Sequence, residues 1–334
     1  MEFQKVINNL KQNILASIYV LSGDEYYLKQ QFYQTLFSED KEYDIQTFNL
    51  EESTLDEVMA EANAFSFFDD QRYVVVENAL FLQAQAKIKL SSSDEQNLLD
   101  YLSSPNPSTI LIFEIGSAAI DKRKKLSKLM QKQAEFVDIQ PLEDKQVERY
   151  IKDYIANTNL NISREAVNEL LERVNYQLTS AMGEIAKVET FALSNPQIGI
   201  DVIRQLVPRT LESNVFELTN AVMSKQINLA IQIYEDLLLM KHEPIALHAL
   251  LVSHFRLMLQ AKILRSKGLM EGQIAESLKV HPYRVKLSIQ SANQIEMQDL
   301  IRLYRELAEA DYNMKTGIGI KENYFYLLLL KFAQ

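Results

Sequence analysis

The stretch Ile18-Tyr-Val-Leu-Ser-Gly-Asp-Glu-Tyr-Tyr-Leu-Lys29 decides the fold of the first part of the chain. Its first four residues are apolar and predict a short buried strand, and the next four predict a tight turn. A helix is expected from this turn to about residue 37. Asp24 is the predicted N-cap, because a carboxylate accepts hydrogen bonds from the free amides of a first helical turn.

The same order of strand, turn and helix recurs to about residue 140. Thr54 and Glu57 have the capping-box spacing at the start of the next helix. Strands that alternate with helices pair in parallel, so we predict an α/β domain with a doubly wound sheet over residues 1–140. The further strands are predicted at residues 45–49, 73–76, 110–113 and 135–139.

The strand signal ends after Pro141. Amphipathic helices are predicted at residues 144–156, 164–174 and 178–193, with a short helix that ends at Pro208. We therefore predict a small helical domain over residues 141–208. Residues 209–334 again have a helical pattern and predict a third, all-helical domain.

Composition limits the possible functions. The 334 residues include no cysteine, which excludes disulfides and thiolate metal sites. No apolar run approaches the roughly 20 residues that span a bilayer, and the start lacks a signal-peptide pattern, so we expect a cytoplasmic protein without membrane contact. The net charge is −10, and residues 1–140 hold 13 Lys and Arg against 22 Asp and Glu, which disfavours broad phosphate binding there.

A sheet domain followed by a small helical domain is the layout of nucleotide-driven motors. Such motors bind phosphates with G-x-x-x-x-G-K-[ST] after the first strand. Here that turn has one glycine, Gly23, and no Gly-Lys pair. Asp24 and Glu25 place negative charge where a triphosphate would lie, so we expect no nucleotide cofactor.

Metal sites and catalytic residues are not predicted either. His242, His248 and His254 are six residues apart, a rotation of about 240° on a helix, so they do not share a face. These three and the fourth histidine, His281, are expected to be helix-surface or core residues. The basic run Asp121-Lys-Arg-Lys-Lys125 could face DNA or an acidic partner, or could be a solvated helix face.

The segment Phe65-Ser-Phe-Phe68 places three phenylalanines within four residues, between a helix end and the third strand. Phe65 is expected to pack inward. Phe67 and Phe68 are candidates for exposure at a tip, where large rigid rings anchor interfaces. The segment alone leaves open that all three rings fill the core.

At this segment the chain resembles the delta-subunit family of the bacterial DNA polymerase III clamp loader. Phe65-Ser-Phe-Phe68 is similar to the family's Ser-Leu-Phe clamp-binding element, with Phe67 in place of the usual leucine. Further similar stretches occur in the family's order along the chain: Ile18–Glu25, Ser66–Asn78, Asp121–Lys125, Met182–Lys187, His281–Lys286 and Asp311–Gly317.

The resemblance implies an AAA+-like sheet domain without a phosphate loop, a helical lid domain (141–208) and a helical collar domain (209–334). It implies a non-catalytic subunit that binds the sliding clamp (beta) and opens its ring, with the clamp-binding residues Phe65, Ser66, Phe67 and Phe68. The implied partners are delta prime and gamma/tau-type loader subunits and primer-template DNA, with Arg284 and Lys315 as possible DNA or collar contacts. Two alternatives stay open: an active AAA+ ATPase with an aberrant phosphate loop, and a stand-alone nucleic-acid-binding module.

Overall fold

The computed structural model describes residues 2–37, 41–64, 71–83, 90–118, 120–121, 124–280 and 282–333. The chain forms two compact units, Met1–Leu142 and Glu143–Gln334. The predicted division of the second part into lid and collar domains at residue 208 stays a prediction.

The first unit is an α/β unit with one five-stranded sheet. The strand order is β2-β3-β4-β1-β5, and all four pairings are parallel. This confirms the predicted doubly wound sheet and each of its five strands. The elements are α1 (Glu2–Lys11), β1 (Ile18–Gly23), α2 (Tyr26–Leu36), β2 (Asp44–Asn49), α3 (Leu55–Asn63), β3 (Arg72–Glu77), a 3₁₀ turn (Leu80–Leu82), α4 (Ser92–Ser103), β4 (Thr109–Glu114), α5 (Lys125–Gln133) and β5 (Glu135–Ile139).

The central strands are buried because they are apolar without interruption. In β4 the four residues from Ile110 to Phe113 are fully buried, and Val74 and Val76 of β3 are buried as deeply. Helices on both faces make continuous burial possible, which is why such strands do not alternate apolar and polar residues. On one face of the sheet, α3, α4 and α5 contribute Val58, Leu98 and Met130 to a common core.

Two predicted helix caps have different outcomes. Thr54 and Glu57 form the predicted capping box at the start of α3. The prediction for α2 is wrong by one residue, because its N-cap is Glu25 and not Asp24. The Glu25 carboxylate accepts a hydrogen bond from the amide of Tyr27 at 3.4 Å.

The second unit is mainly helical. Its one departure from the prediction is a parallel pair of two-residue strands, β6 and β7. The elements are α6 (Asp144–Ala156), β6 (Asn161–Ile162), α7 (Arg164–Arg173), α8 (Leu178–Ala192), β7 (Gln197–Ile198), α9 (Ile200–Leu206), α10 (Leu211–Met223), α11 (Ile227–Leu239), α12 (Pro244–Ser266), α13 (Glu271–Leu278), α14 (Pro282–Ala292), α15 (Met297–Lys315) and α16 (Asn323–Ala333).

Helix α12 is the centre of the last part of this unit. Pro244 begins it, at a position where a missing amide costs little. Leu251 and Phe255 of α12 are fully buried in a core shared with α10, α11, α15 and α16. Further along, Ala261 packs in a smaller core with α13 and α14. Over the described residues no helix is long and apolar enough to cross a membrane.

Candidate functional site

The predicted clamp-binding residues Phe65, Ser66, Phe67 and Phe68 lie outside the described residues. Their chain neighbours on both sides are described: α3 ends at Asn63, and β3 begins at Arg72. Arg72 pairs with Asp44 and Thr109 in the sheet, so it lies at the edge where the parallel strands begin. The residues on both sides of the segment therefore have defined contacts.

Arg72 fixes the flank that follows the segment. Its Nε lies 2.8 Å from Oδ2 of Asp44, and its Nη1 lies 2.8 Å from Oε1 of Glu61 in the last turn of α3. The Arg72 side chain is only 13% exposed. A planar guanidinium can bind two carboxylates in fixed directions, so this one residue ties β3 to both β2 and α3.

Asn106 fixes the flank that precedes the segment. Its Nδ2 donates to the carbonyl of Ala62 at 3.2 Å and to that of Ala64 at 3.3 Å. Carbonyls in the last turn of a helix have no partner within the helix, so a side-chain donor stabilises this end. The amide of Arg72 also donates to the carbonyl of Ser108 at 2.9 Å. Both flanks are therefore held by the same turn between α4 and β4.

The turn after β1, where a motor would place its phosphate loop, lies at the opposite edge of the sheet. There the amide of Gly23 donates to the carbonyl of Gly116, and the amide of Glu25 donates to that of Ile139, each at 2.9 Å. Gly23 has a φ of +132°, and a Cβ on it would lie 2.1 Å from the Ile139 oxygen. Amides that a phosphate loop would direct at a nucleotide are thus bonded to the protein's own carbonyls.

The lysine next to this turn, Lys29, is also paired within the protein. Lys29 forms an ion pair with Glu114, the last residue of β4, whose side chain is 15% exposed. The hydroxyl of Tyr33 donates to the same carboxylate at 2.7 Å. Burial, followed by the nearby Glu114 charge, raises the pKa of Tyr33 above its usual range, so this hydroxyl stays protonated. Lys29 is therefore neutralised within the fold.

The two predicted DNA or collar contacts lie on different helices with different surroundings. Lys315, the last residue of α15, is exposed and forms an ion pair with Asp311 at 2.7 Å. Arg284 is exposed on α14 and lines a cavity of about 360 Å³ between α7, α10, α12 and α14. His254 lines the same cavity. Burial, with a further effect of Arg284, lowers the pKa of His254 to about 4, so the ring is neutral at pH 7.

Two further residues of the sequence predictions, His248 and Lys124, contact backbone carbonyls. His248 is buried, with its Nε2 2.9 Å from the carbonyl of Leu307. Lys124 of the basic run donates to the carbonyl of Phe81 at 2.8 Å. Lys122, Arg123 and His281 lie outside the described residues. Within the described ranges, no group of three or more His, Cys, Asp or Glu is placed to hold a metal ion.

Comparisons with known proteins agree along the whole chain. Residues 19–140 match the family described as DNA polymerase III, delta subunit, and residues 212–332 match that subunit's C-terminal domain. The DNA polymerase III subunit delta of Bacillus subtilis is 34% identical over 331 residues, which cover 98% of this chain and 95% of the relative. A probable delta subunit of Aquifex aeolicus is 22% identical, over 88% of this chain and 85% of its own length.

A solved structure gives the same result in three dimensions. The Bacillus subtilis DNA clamp loader delta protein superposes with a TM-score of 0.76 at 34% sequence identity. The superposition covers 100% of this chain and 99% of that one. The similarity therefore extends over the α/β unit and the helical unit alike.

Proposed function

Because this chain belongs to the family of DNA polymerase III delta subunits of the clamp loader, we propose that it binds the DNA sliding clamp and opens the clamp ring for loading on primed DNA. The observation that carries the proposal is the 34% identity over 98% of the chain to a delta subunit. The proposed partners are the clamp, the delta prime and gamma/tau-type loader subunits and primer-template DNA, in the cytoplasm. Arg284 and Lys315 are proposed DNA or collar contacts, and both are exposed.

The proposed contact with the clamp is an insertion of Phe67 and Phe68 into an apolar pocket, with Phe65 and Ser66 completing the element. An aromatic ring buries about 150–250 Å², which at about 25 cal/mol/Å² is roughly 4–6 kcal/mol before ordering costs are subtracted. The described flanks support this proposal. Arg72 and Asn106 hold the described residues next to both ends of the segment, and residues that are fixed before binding lose little entropy when the complex forms.

Binding alone does not open a ring. The bound subunit must favour a clamp conformation that is incompatible with the closed ring interface. The equilibrium between closed and open clamp then shifts by the difference in the subunit's binding free energy for the two states. A ligand with equal affinity for both states leaves the ring closed. We therefore propose that this difference in affinity drives the opening of the ring. We further propose that ATP bound by neighbouring loader subunits controls access to the contact residues.

We also propose that this subunit binds no nucleotide and is not catalytic by itself. Three features of the turn after β1 support this. Its Gly23 and Glu25 amides are bonded to protein carbonyls, Lys29 is paired with Glu114, and Gly23 packs against the backbone of β5. An active ATPase would have to break these contacts before it could receive a triphosphate.

The residue-level test replaces both rings together, with Phe67→Ala and Phe68→Ala. The expected result is clamp affinity at least 100-fold weaker, measured by isothermal titration calorimetry, with an unchanged unfolding temperature. Tyr26→Ala is the matched control, because Tyr26 is an aromatic residue of the same unit that is 60% exposed at the start of α2. Wild-type affinity in the double variant would show that the contact lies elsewhere.

A further inference from the structure

Helices α13 and α14 form a tight pair within the second unit. α13 ends at Leu278 and α14 begins at Pro282, so three residues connect them. Lys279, the first of the three, is left-handed with a φ of 52°, and its amide donates to the carbonyls of Ala275 and Glu276. A left-handed residue directly after a helix ends it and turns the chain sharply. A short connection of this kind also joins the two helices of a helix-turn-helix.

The two helices share a small core of their own. Ile274 and Ala275 of α13 pack with Val285 and Ile289 of α14 and with Ala261 of α12. Ala275 is buried, and its short side chain lets the helices approach closely. Leu278 and Val280, at the end of α13 and in the connection, pack against the same core. The mutual orientation of α13 and α14 is therefore fixed by their own residues.

One side of α14 is left for solvent. Lys286, Gln290 and Asn293 are exposed, and at 100° per residue they lie within about 60° of arc. The buried Ser288 and Ala292 lie on the opposite side, and the buried Val285 and Ile289 lie between the two sides. An ammonium group and amides on one exposed stripe are the groups that contact phosphates and base edges in DNA grooves.

The charge around this pair is opposite to that of the chain as a whole. Residues 262–294 hold six Lys and Arg against two Asp and Glu, whereas the net charge of the chain is −10. The first turn of α14 has no acidic residue, and Lys279 lies just before it. The N-terminal end of a helix is positive, and it lies here next to basic side chains. Such a surface binds a polyanion such as DNA more strongly than a protein surface, because DNA has a higher density of negative charge.

We propose that the α13–α14 pair is a contact site for duplex DNA. In this arrangement α14 enters a groove with Gln290 towards the base edges, and Lys279 and Lys286 contact backbone phosphates, as residues of a helix-turn-helix do. The site deepens the proposed function, because primed DNA contains a duplex portion. It shares no residue with the clamp contact, so either can fail without the other.

The test measures fluorescence anisotropy of a labelled 20-base-pair duplex titrated with the full chain between 50 and 200 mM salt. The variant carries Lys279→Gln and Lys286→Gln. The control carries Lys241→Gln and Lys321→Gln, two exposed residues of the same unit. Each lost phosphate contact lowers the slope of log affinity against log salt by about 0.9, so the variant should lose about 1.8. Its loss of affinity relative to the wild type should therefore be roughly tenfold larger at 50 mM than at 200 mM salt.

The control should keep the wild-type slope, and the variant should keep the wild-type unfolding temperature and clamp affinity. Three results would each overturn the proposal. The wild-type chain could show no duplex binding at 50 mM salt. The variant and the control could lose affinity equally. A single strand of the same length could bind as tightly as the duplex, which would contradict a helix placed in a groove.

Discussion

Replacing Arg72 with methionine tests whether this residue holds the flanks of the proposed clamp-binding segment. The substitution keeps an unbranched side chain and removes two charge-assisted hydrogen bonds, each 2.8 Å long, to Asp44 and Glu61. Such a bond contributes about 1.5–3 kcal/mol when both groups are well shielded. The two carboxylates are 37% and 31% exposed and can regain water, so we reduce the total to about 2 kcal/mol.

Urea denaturation followed by circular dichroism measures this loss as a lower midpoint with an unchanged slope. Arg149→Met is the control, because the Arg149 pair with Asp153 is 3.7 Å long and 75% and 70% exposed. An exposed pair of this kind contributes less than about 1 kcal/mol. Arg72→Lys should be intermediate, since an ammonium keeps the charge but lacks the planar fork.

The same Arg72→Met variant should bind the clamp more weakly, because a segment with a loosened flank loses more entropy on binding. If Arg72 acts through the segment, its effect and that of Phe67→Ala will be less than additive in a double-mutant cycle. This role of Arg72 is refuted if Arg72→Met has the same urea midpoint as Arg149→Met. It is also refuted if the midpoint falls while clamp affinity stays at the wild-type value.

Three further predictions concern other parts of the chain. Gly23→Ala should lower the free energy of unfolding of the first unit, measured in urea, by about 3 kcal/mol or more, because the new Cβ would lie 2.1 Å from the Ile139 oxygen. The control Gly272→Ala should be neutral or stabilising, because this position in α13 has open space around it. Glu114→Gln should lower the urea midpoint without creating ATP binding in equilibrium dialysis, since the amides of the turn stay bonded to carbonyls; bound ATP would contradict this. The pKa of His254 is lowered to about 4, so NMR titration should find a neutral ring at pH 6. As pH drops from 6.5 towards 4, the unfolded chain binds the proton before the folded chain does, and the free energy of unfolding should fall. The fall should be smaller in His254→Gln, which has no imidazole to protonate.

The sheet was predictable because its strands are short apolar runs between clear turn signals. Burial of both faces makes such strands continuous in sequence, and β1 and β4 follow this rule. The helix α1 also had a signal that the prediction did not use: Phe3, Val6, Ile7 and Leu10 are buried at helical spacing. The strands β6 and β7 had none, because two residues cannot show a period.

The contacts around the candidate site were harder to predict. Lys29 and Glu114 are 85 positions apart in sequence, and their pairing follows from the neighbouring positions of β1 and β4 in the sheet. The bonds of Asn106 to the end of α3 depend on tertiary packing, which the local sequence does not show. The cap of α2 was displaced by one residue because Asp24 and Glu25 are both carboxylates, and only the backbone geometry separates them.

The most direct test of the central claim mixes the wild-type chain with the sliding clamp of the same organism without nucleotide. Dyes on the two sides of one clamp ring interface report its opening by energy transfer. We expect a stable complex at micromolar concentrations and a fall in energy transfer that requires Phe67 and Phe68 and does not respond to added ATP. No complex at these concentrations, or a complex in which energy transfer stays at the value of the closed ring, would contradict the claim.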